Sequence, residues 1–91
     1  MSNDNDTPNI NLENHGKIWE TEHDTRLTYL FQQDYSIPFI CEQLGRTPYA
    51  IVQRLFDLKE IYFNKHENAY KVMPRTFINV RDLQQINNTY K

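Results

Sequence analysis

The sequence predicts a mainly α fold, in which a three-helix core is followed by a short, wing-like β-hairpin and a C-terminal helix. Three observations predict it. In three segments, residues 27–31, 37–44 and 51–58, apolar residues recur every three or four positions, which is the spacing of one helix face. Aromatic and β-branched residues then flank a polar turn at residues 65–68. Helix-like spacing returns after Pro74, which ends the strand.

Residues 1–16 are predicted to form a flexible N-terminal arm. They are rich in Asn and Asp, and Ile10 and Leu12 are the apolar residues that could anchor them. Such a composition buries too little surface to offset the entropy lost on ordering. The arm either remains an untethered tail or contacts a second subunit.

Residues 17–61 are predicted to form the helical core, and its first helix begins near Thr21. Thr21 is a plausible N-cap, with Asp24 three residues on in the capping-box position. The helix is expected to end near Gln33, and Trp19 is expected to fold over its apolar stripe. That stripe consists of Leu27, Leu30 and Phe31.

Two short helices with a tight turn between them follow. Ser36 and Thr47 are predicted N-caps, because their hydroxyls can accept unpaired N–H groups of the first turn. Pro38 and Pro48 stand in those first turns, where the missing N–H costs nothing. Gly45 can adopt positive φ and end the second helix. The predicted buried residues are Ile37, Ile40, Cys41 and Leu44 in the second helix, and Ala50, Ile51, Leu55 and Leu58 in the third.

The outer side of the turn and third helix is polar. Its residues are Arg46, Thr47, Tyr49, Gln53, Arg54 and Asp57. A short helix, a sharp turn and a second helix with a hydrogen-bonding outer face are the parts of a helix-turn-helix.

The turn and third helix carry the string L-G-R-T-x-x-A-I-x-x-R-L-x-x-L. Its residues are Leu44, Gly45, Arg46, Thr47, Ala50, Ile51, Arg54, Leu55 and Leu58. The string resembles the second half of Myb/SANT-like helix-turn-helix domains, and it is similar to phage and bacterial regulators of the GcrA type. The predicted first helix also resembles the first helix of that family. The residues that carry this resemblance are Trp19, Glu20, Glu22, Asp24, Leu27 and Leu30. The resemblance covers about residues 17–61 and implies a three-helix DNA-reading domain.

The chain departs from that family at one position. Many such domains place Gly after the last Leu of the third helix, whereas this chain has Lys59 and Glu60. The third helix therefore either runs on or ends in a strained residue other than glycine.

Residues 62–73 are predicted to form a hairpin directly after the third helix, where winged-helix proteins carry a wing. Tyr62 and Phe63 have high β-propensity, and the segment from Tyr70 can form the return strand. As a wing, the hairpin would bring Lys65, His66 and Lys71 to phosphates. The alternative is a hairpin that only covers the core.

Residues 74–91 are predicted to form a C-terminal helix and tail, with Thr76 as a possible cap. The apolar residues with helical spacing are Phe77, Val80, Leu83 and Ile86. The helix either packs one face on the body of the protein or forms a homodimer contact.

Charge is divided unevenly along the 91 residues, whose net charge is −2. Residues 1–43 contain two basic and eight acidic residues, whereas residues 44–91 contain eight basic and four acidic ones. The basic half begins at the turn before the third helix. This pattern is compatible with binding DNA or binding an acidic protein.

Composition and spacing indicate neither an enzyme nor a cofactor or metal protein. The three His residues are scattered, there is one Cys, and Gly16 and Gly45 form no phosphate-binding loop. No apolar run approaches the length of a membrane span, and a cytoplasmic protein is expected.

The main functional hypothesis is a small transcriptional regulator that binds double-stranded DNA. Its recognition helix, residues 48–59, would lie in the major groove. Arg46 and Thr47 would hold the DNA backbone, and Tyr49, Gln53 and Arg54 would face the bases. Arg54 could instead pair with an acidic residue of helix one, such as Glu22 or Asp24.

The alternative hypothesis is a SANT-like protein-interaction module that does not bind DNA. The third helix carries a net charge of only +1. Tyr49, Phe56 and Tyr62 would then form an aromatic surface that contacts a partner protein.

Overall fold

The computed structural model describes residue 14, residues 16–73 and residues 75–89. Most of the predicted N-terminal arm, Pro74 and the last two residues lie outside the described residues. The elements are α1 (Thr21–Gln32), α2 (Ile37–Leu44), α3 (Pro48–Asp57), β1 (Tyr62–Asn64), β2 (Ala69–Val72), β3 (Arg75–Asn79) and α4 (Val80–Asn88). The described chain is thus a small mixed domain of four helices and a three-stranded antiparallel sheet. None of the described helices is long and apolar enough to cross a membrane.

The predicted caps of α2 and α3 are confirmed. The Ser36 hydroxyl accepts the backbone N–H of Phe39 at 3.3 Å, and the Thr47 hydroxyl accepts that of Ala50 at 3.3 Å. Gly45 ends α2 with φ of 67°. These contacts fix the direction in which each helix leaves the turn.

The prediction for the start of α1 is wrong by one residue. Glu20 occupies the N-cap position without a side-chain cap, and Thr21 is already helical. No capping box forms, because the carboxylate of Asp24 is engaged by Arg54 of α3.

Helix α3 ends at Asp57, two residues before the predicted bound. Lys59 follows in the left-handed conformation with φ of 64°. The N–H of Glu60 then bonds to the carbonyl of Leu55 at 2.9 Å, and that of Lys59 to the carbonyl of Phe56 at 3.0 Å. The chain therefore ends this helix in a Schellman-type turn with a strained residue other than glycine.

The core lies between α1, α2 and α3 and continues to α4 and the sheet. Its buried residues are Leu27, Ile37, Ile40, Cys41, Leu44, Ile51, Val52, Leu55, Ile61, Ile78 and Leu83. Trp19, Leu30 and Phe31 pack against it, as predicted. The burial predicted for the third helix is wrong at two positions, because Ala50 and Leu58 are only partly buried. Val52, which was not predicted, is buried. Val52 is covered because α4 packs on α3.

The predicted hairpin is confirmed, with Tyr62 opposite Lys71 and Phe63 opposite Tyr70. The prediction for the segment after it is partly wrong. Thr76 and Phe77 lie in β3, which pairs with β2 and makes the sheet three-stranded.

Asn79, not Thr76, caps α4, since its side-chain oxygen accepts the N–H of Asp82 at 2.8 Å. The apolar spacing of residues 77–86 spans a strand and a helix. Phe77 lies in β3, but it stands three residues before Val80 of α4 and so continues the helical period in the sequence. Leu83 is buried and Ile86 packs on the core, so the apolar face of α4 is occupied within the chain.

Lys59→Gly is expected to raise the free energy of unfolding by about 1 kcal/mol, because glycine adopts positive φ without a Cβ clash. Urea denaturation measures this change. As a control, Gln53→Gly inside α3 should lower the free energy of unfolding by about 1 kcal/mol. Equal destabilisation by both substitutions would contradict the strained end of α3.

Candidate nucleic-acid interface

The turn between α2 and α3 is held by residues that precede α1. Asn14 donates its backbone N–H to the carbonyl of Gly45 at 3.0 Å and its side-chain amide to that of Leu44 at 2.7 Å. These carbonyls stand at the end of α2, where intrahelical partners are missing. Asn14 therefore fixes the turn from which α3 begins.

Arg46 does not face outward, and this corrects its predicted place on the DNA backbone. The residue is only 3% exposed. Its guanidinium donates to the carbonyl oxygens of Lys17 at 2.7 Å and Ile18 at 3.3 Å. The same group lies 4.0 Å from the ring centre of Trp19. Arg46 is thus a structural cation, and burial lowers its pKa.

Arg54 takes the structural role that the sequence left open. Its guanidinium makes two hydrogen bonds to the carboxylate of Asp24, at 2.8 Å and 2.7 Å. This pairing raises the pKa of Arg54 and lowers the pKa of Asp24. The charge of Arg54 is therefore largely compensated inside the protein and joins α3 to α1.

The outward side of α3 presents four described side chains: Tyr49, Gln53, Phe56 and Asp57. Tyr49 is 42% exposed and Phe56 is 40% exposed. The amide of Gln53 donates to the carboxylate of Asp57 at 3.2 Å. None of the four is basic, so this side of α3 is polar and aromatic with one negative charge.

Helix α4 reaches the beginning of α3. The side-chain oxygen of Asn87 accepts the backbone N–H of Tyr49 at 3.2 Å. Together with the cap from Thr47, this bond uses donors that an anion could otherwise bind at the start of the helix. The sequence offers no sign of Asn87, because the two residues are 38 positions apart.

The two lysines predicted for the hairpin differ in their surroundings. Lys71 donates to both carboxylate oxygens of Glu67, at 2.8 Å and 3.1 Å, and its side chain is largely covered. Lys65 is exposed in the turn between β1 and β2. Within the described part of the chain, Lys17, Lys59 and Lys65 form no ion pair.

Seven residues were predicted to contact DNA, and the structure divides them into three groups. Thr47, Tyr49 and Gln53 lie at the start and on the outward side of α3. Arg46 and Arg54 lie on its inward side around Trp19. Lys65 and Lys71 lie on the hairpin.

A row of aromatic rings connects α3 with the hairpin. The ring centres of Phe56 and Tyr70 are 6.1 Å apart, and those of Tyr70 and Phe63 are 5.0 Å apart. Tyr62, which precedes Phe63 in β1 and pairs with Lys71 on the other face of the hairpin, is 41% exposed. The hairpin thus continues the exposed aromatic surface of α3.

Among the residues that the structure describes, no three His, Cys, Asp or Glu side chains come together as metal ligands. Comparison of the chain with protein-family models, curated proteins and solved structures gives no match. The functional inference therefore depends on the geometry described above.

Arg46→Lys is expected to lower the free energy of unfolding by about 1–3 kcal/mol. Lysine lacks the planar fork that stacks on Trp19 and reaches both carbonyls. Urea denaturation gives the value. Arg26→Lys, an exposed position on α1, is the matched control and should change stability by less than about 0.5 kcal/mol. A fully stable Arg46→Lys protein would contradict the structural role.

The pair between Asp24 and Arg54 makes stability depend on pH. Since the pKa of Asp24 is lower in the folded protein than its ordinary 3.8, the pair stabilises above that pH. This contribution is lost as the pH falls through the folded-state pKa.

Asp24→Asn should therefore cost about 1–2 kcal/mol at neutral pH and progressively less in acid. Urea denaturation across the acid range measures the gap from the wild type. Glu42→Gln, an exposed change on α2, should give no such closing gap. A gap that stays constant down to the lowest pH would refute the contribution of the pair.

Proposed function

We propose that this protein binds double-stranded DNA as a small regulator, with α2 and α3 acting as a helix-turn-helix. One observation carries the proposal. Helices α2 and α3 are joined by a three-residue turn, and α3 presents Tyr49 and Gln53 to solvent. A helix held in this way, with hydrogen-bonding residues outward, suits the major groove.

Gln53 is the residue that would read a base. Its amide can pair with the N6 and N7 atoms of adenine after releasing Asp57. The hydroxyls of Thr47 and Tyr49 would contact the bases or backbone beside it. Arg46 and Arg54 act indirectly, because they position α3 from its inward side.

Phosphate contacts would come from lysines around α3. Lys17 adjoins the turn, Lys59 follows α3 and Lys65 lies in the hairpin turn. Three such contacts would give a slope of log K against log salt of about −2 to −3, at about −0.9 per phosphate. The protein should thus bind DNA less tightly and with less salt dependence than strongly basic regulators.

A protein-interaction module is the second candidate. The observation that favours it is the exposed surface of α3, where Tyr49 and Phe56 flank the carboxylate of Asp57 and no cation lies among them. Aromatic surfaces of this kind are enriched at protein interfaces. Binding to a protein through this surface would be nearly independent of salt.

Gln53→Ala should weaken binding to the best duplex site by about 1–3 kcal/mol and leave binding to other duplexes nearly unchanged. Selection from random duplexes identifies the site, and fluorescence anisotropy measures affinity. Gln32→Ala, the same change at an exposed position of α1, is the control.

Absence of duplex binding at about 50 mM salt would refute the DNA proposal and leave the protein-interaction candidate. Equal loss of affinity on every duplex would show that Gln53 does not read sequence.

A further inference from the structure

A groove lies between the end of α3 and the hairpin, and we call it the hairpin groove. It has a volume of about 560 Å³, within the range of small-ligand sites. Its apolar lining comes from Phe56, Tyr62 and Met73. Met73 is 76% exposed. The domain core is complete without these side chains, so the groove is an apolar surface that folding alone does not require.

The charges around the hairpin groove are of two kinds. Lys59 and Lys71 line it, and Lys65 lies in the adjoining turn. Lys59 and Lys65 have no ion-pair partner among the described residues. The groove also contains the carboxylates of Asp57 and Glu60. Lys59 and Lys65 can attract anions, whereas Lys71 is already paired with Glu67. The carboxylates can accept hydrogen bonds from amino groups.

The occupant that matches this lining has a flat apolar ring with amino donors and an anionic backbone. An unpaired nucleotide combines these groups: its base can stack on an aromatic ring, its amino groups can donate to carboxylates, and its phosphate can reach a lysine. Bases inside a duplex hide their faces by stacking on each other. The hairpin groove therefore suits unpaired bases.

We propose that the hairpin groove binds single-stranded nucleic acid by stacking a base on Tyr62 and Phe56, with Lys59 and Lys65 on the phosphates. This activity would share Lys59 and Lys65 with the proposed duplex contact, but its stacking rings, Tyr62 and Phe56, take no part in that contact. It would let the protein bind where a duplex opens.

The test is fluorescence anisotropy with a labelled oligodeoxyadenosine, whose bases carry an amino donor, and a mixed-sequence single strand, each of about 12 nucleotides, at about 50 mM salt. Tyr62→Leu, which removes the ring and keeps apolar bulk, should weaken binding about five- to 150-fold. Tyr62→Phe should bind like the wild type. Tyr29→Leu, an exposed tyrosine on α1, is the matched control and should have no effect.

Met73→Ala is a second groove variant, included in case Tyr62→Leu fails to fold. It should fold like the wild type, because Met73 is highly exposed and does not contribute to the core. This variant should also weaken single-strand binding, by a smaller factor. No binding of either strand by the wild type, or equal binding by Tyr62→Leu, would overturn the proposal. Binding of a partner protein that Tyr62→Leu abolishes, without single-strand binding, would overturn it in favour of a protein interface.

Tyr49→Phe separates this proposal from the DNA-reading function, because Tyr49 is a proposed duplex contact that does not line the hairpin groove. It should weaken duplex binding and leave single-strand affinity unchanged. Loss of single-strand affinity on Tyr49→Phe equal to that on Tyr62→Leu would overturn the assignment of single strands to the hairpin groove.

Discussion

The stacking of Arg46 on Trp19 is the contact on which the rest of the structure depends. It joins the segment before α1 to the turn before α3, and the guanidinium also holds two backbone carbonyls of that segment. A desolvated cation–π contact contributes about 2 kcal/mol, and each hydrogen bond to a charged donor about 1.5–3 kcal/mol. Arg54 and Asp24 add a second link between α3 and α1. The orientation of α3 follows from these two arginines.

This arrangement determines which charges remain available on the surface. The sequence predicts Arg46 and Arg54 on the outer side of the turn and third helix, but both are bound within the domain. What remains on α3 is hydrogen-bonding and aromatic, and around it lie Lys17, Lys59 and Lys65, which form no ion pair among the described residues. Under the proposed function, such a surface would depend more on shape and stacking than on counterion release.

The sequence predicted the features whose causes are local. Ser36, Gly45 and Thr47 act on their own helix ends, so their roles could be inferred from neighbours along the chain. The place of Arg46 and the bond from Tyr49 to Asn87 depend on residues 28 to 38 positions away, which no local pattern encodes. The third strand was missed for a related reason: β3 is defined by its pairing with β2, while its apolar spacing mimicked a helix.

Because the two arginines face inward, the residues that stabilise the domain are different from the outward residues proposed to bind DNA. Tyr49 and Gln53 contribute little to the core, whereas Ile51, Leu55 and Arg54 on the same helix hold it in place. Substitutions at the outward positions should thus leave the scaffold unchanged, and under the proposed function they would alter specificity. A DNA-binding domain built in this way could evolve, or be engineered, toward new targets without first acquiring compensating stabilising mutations.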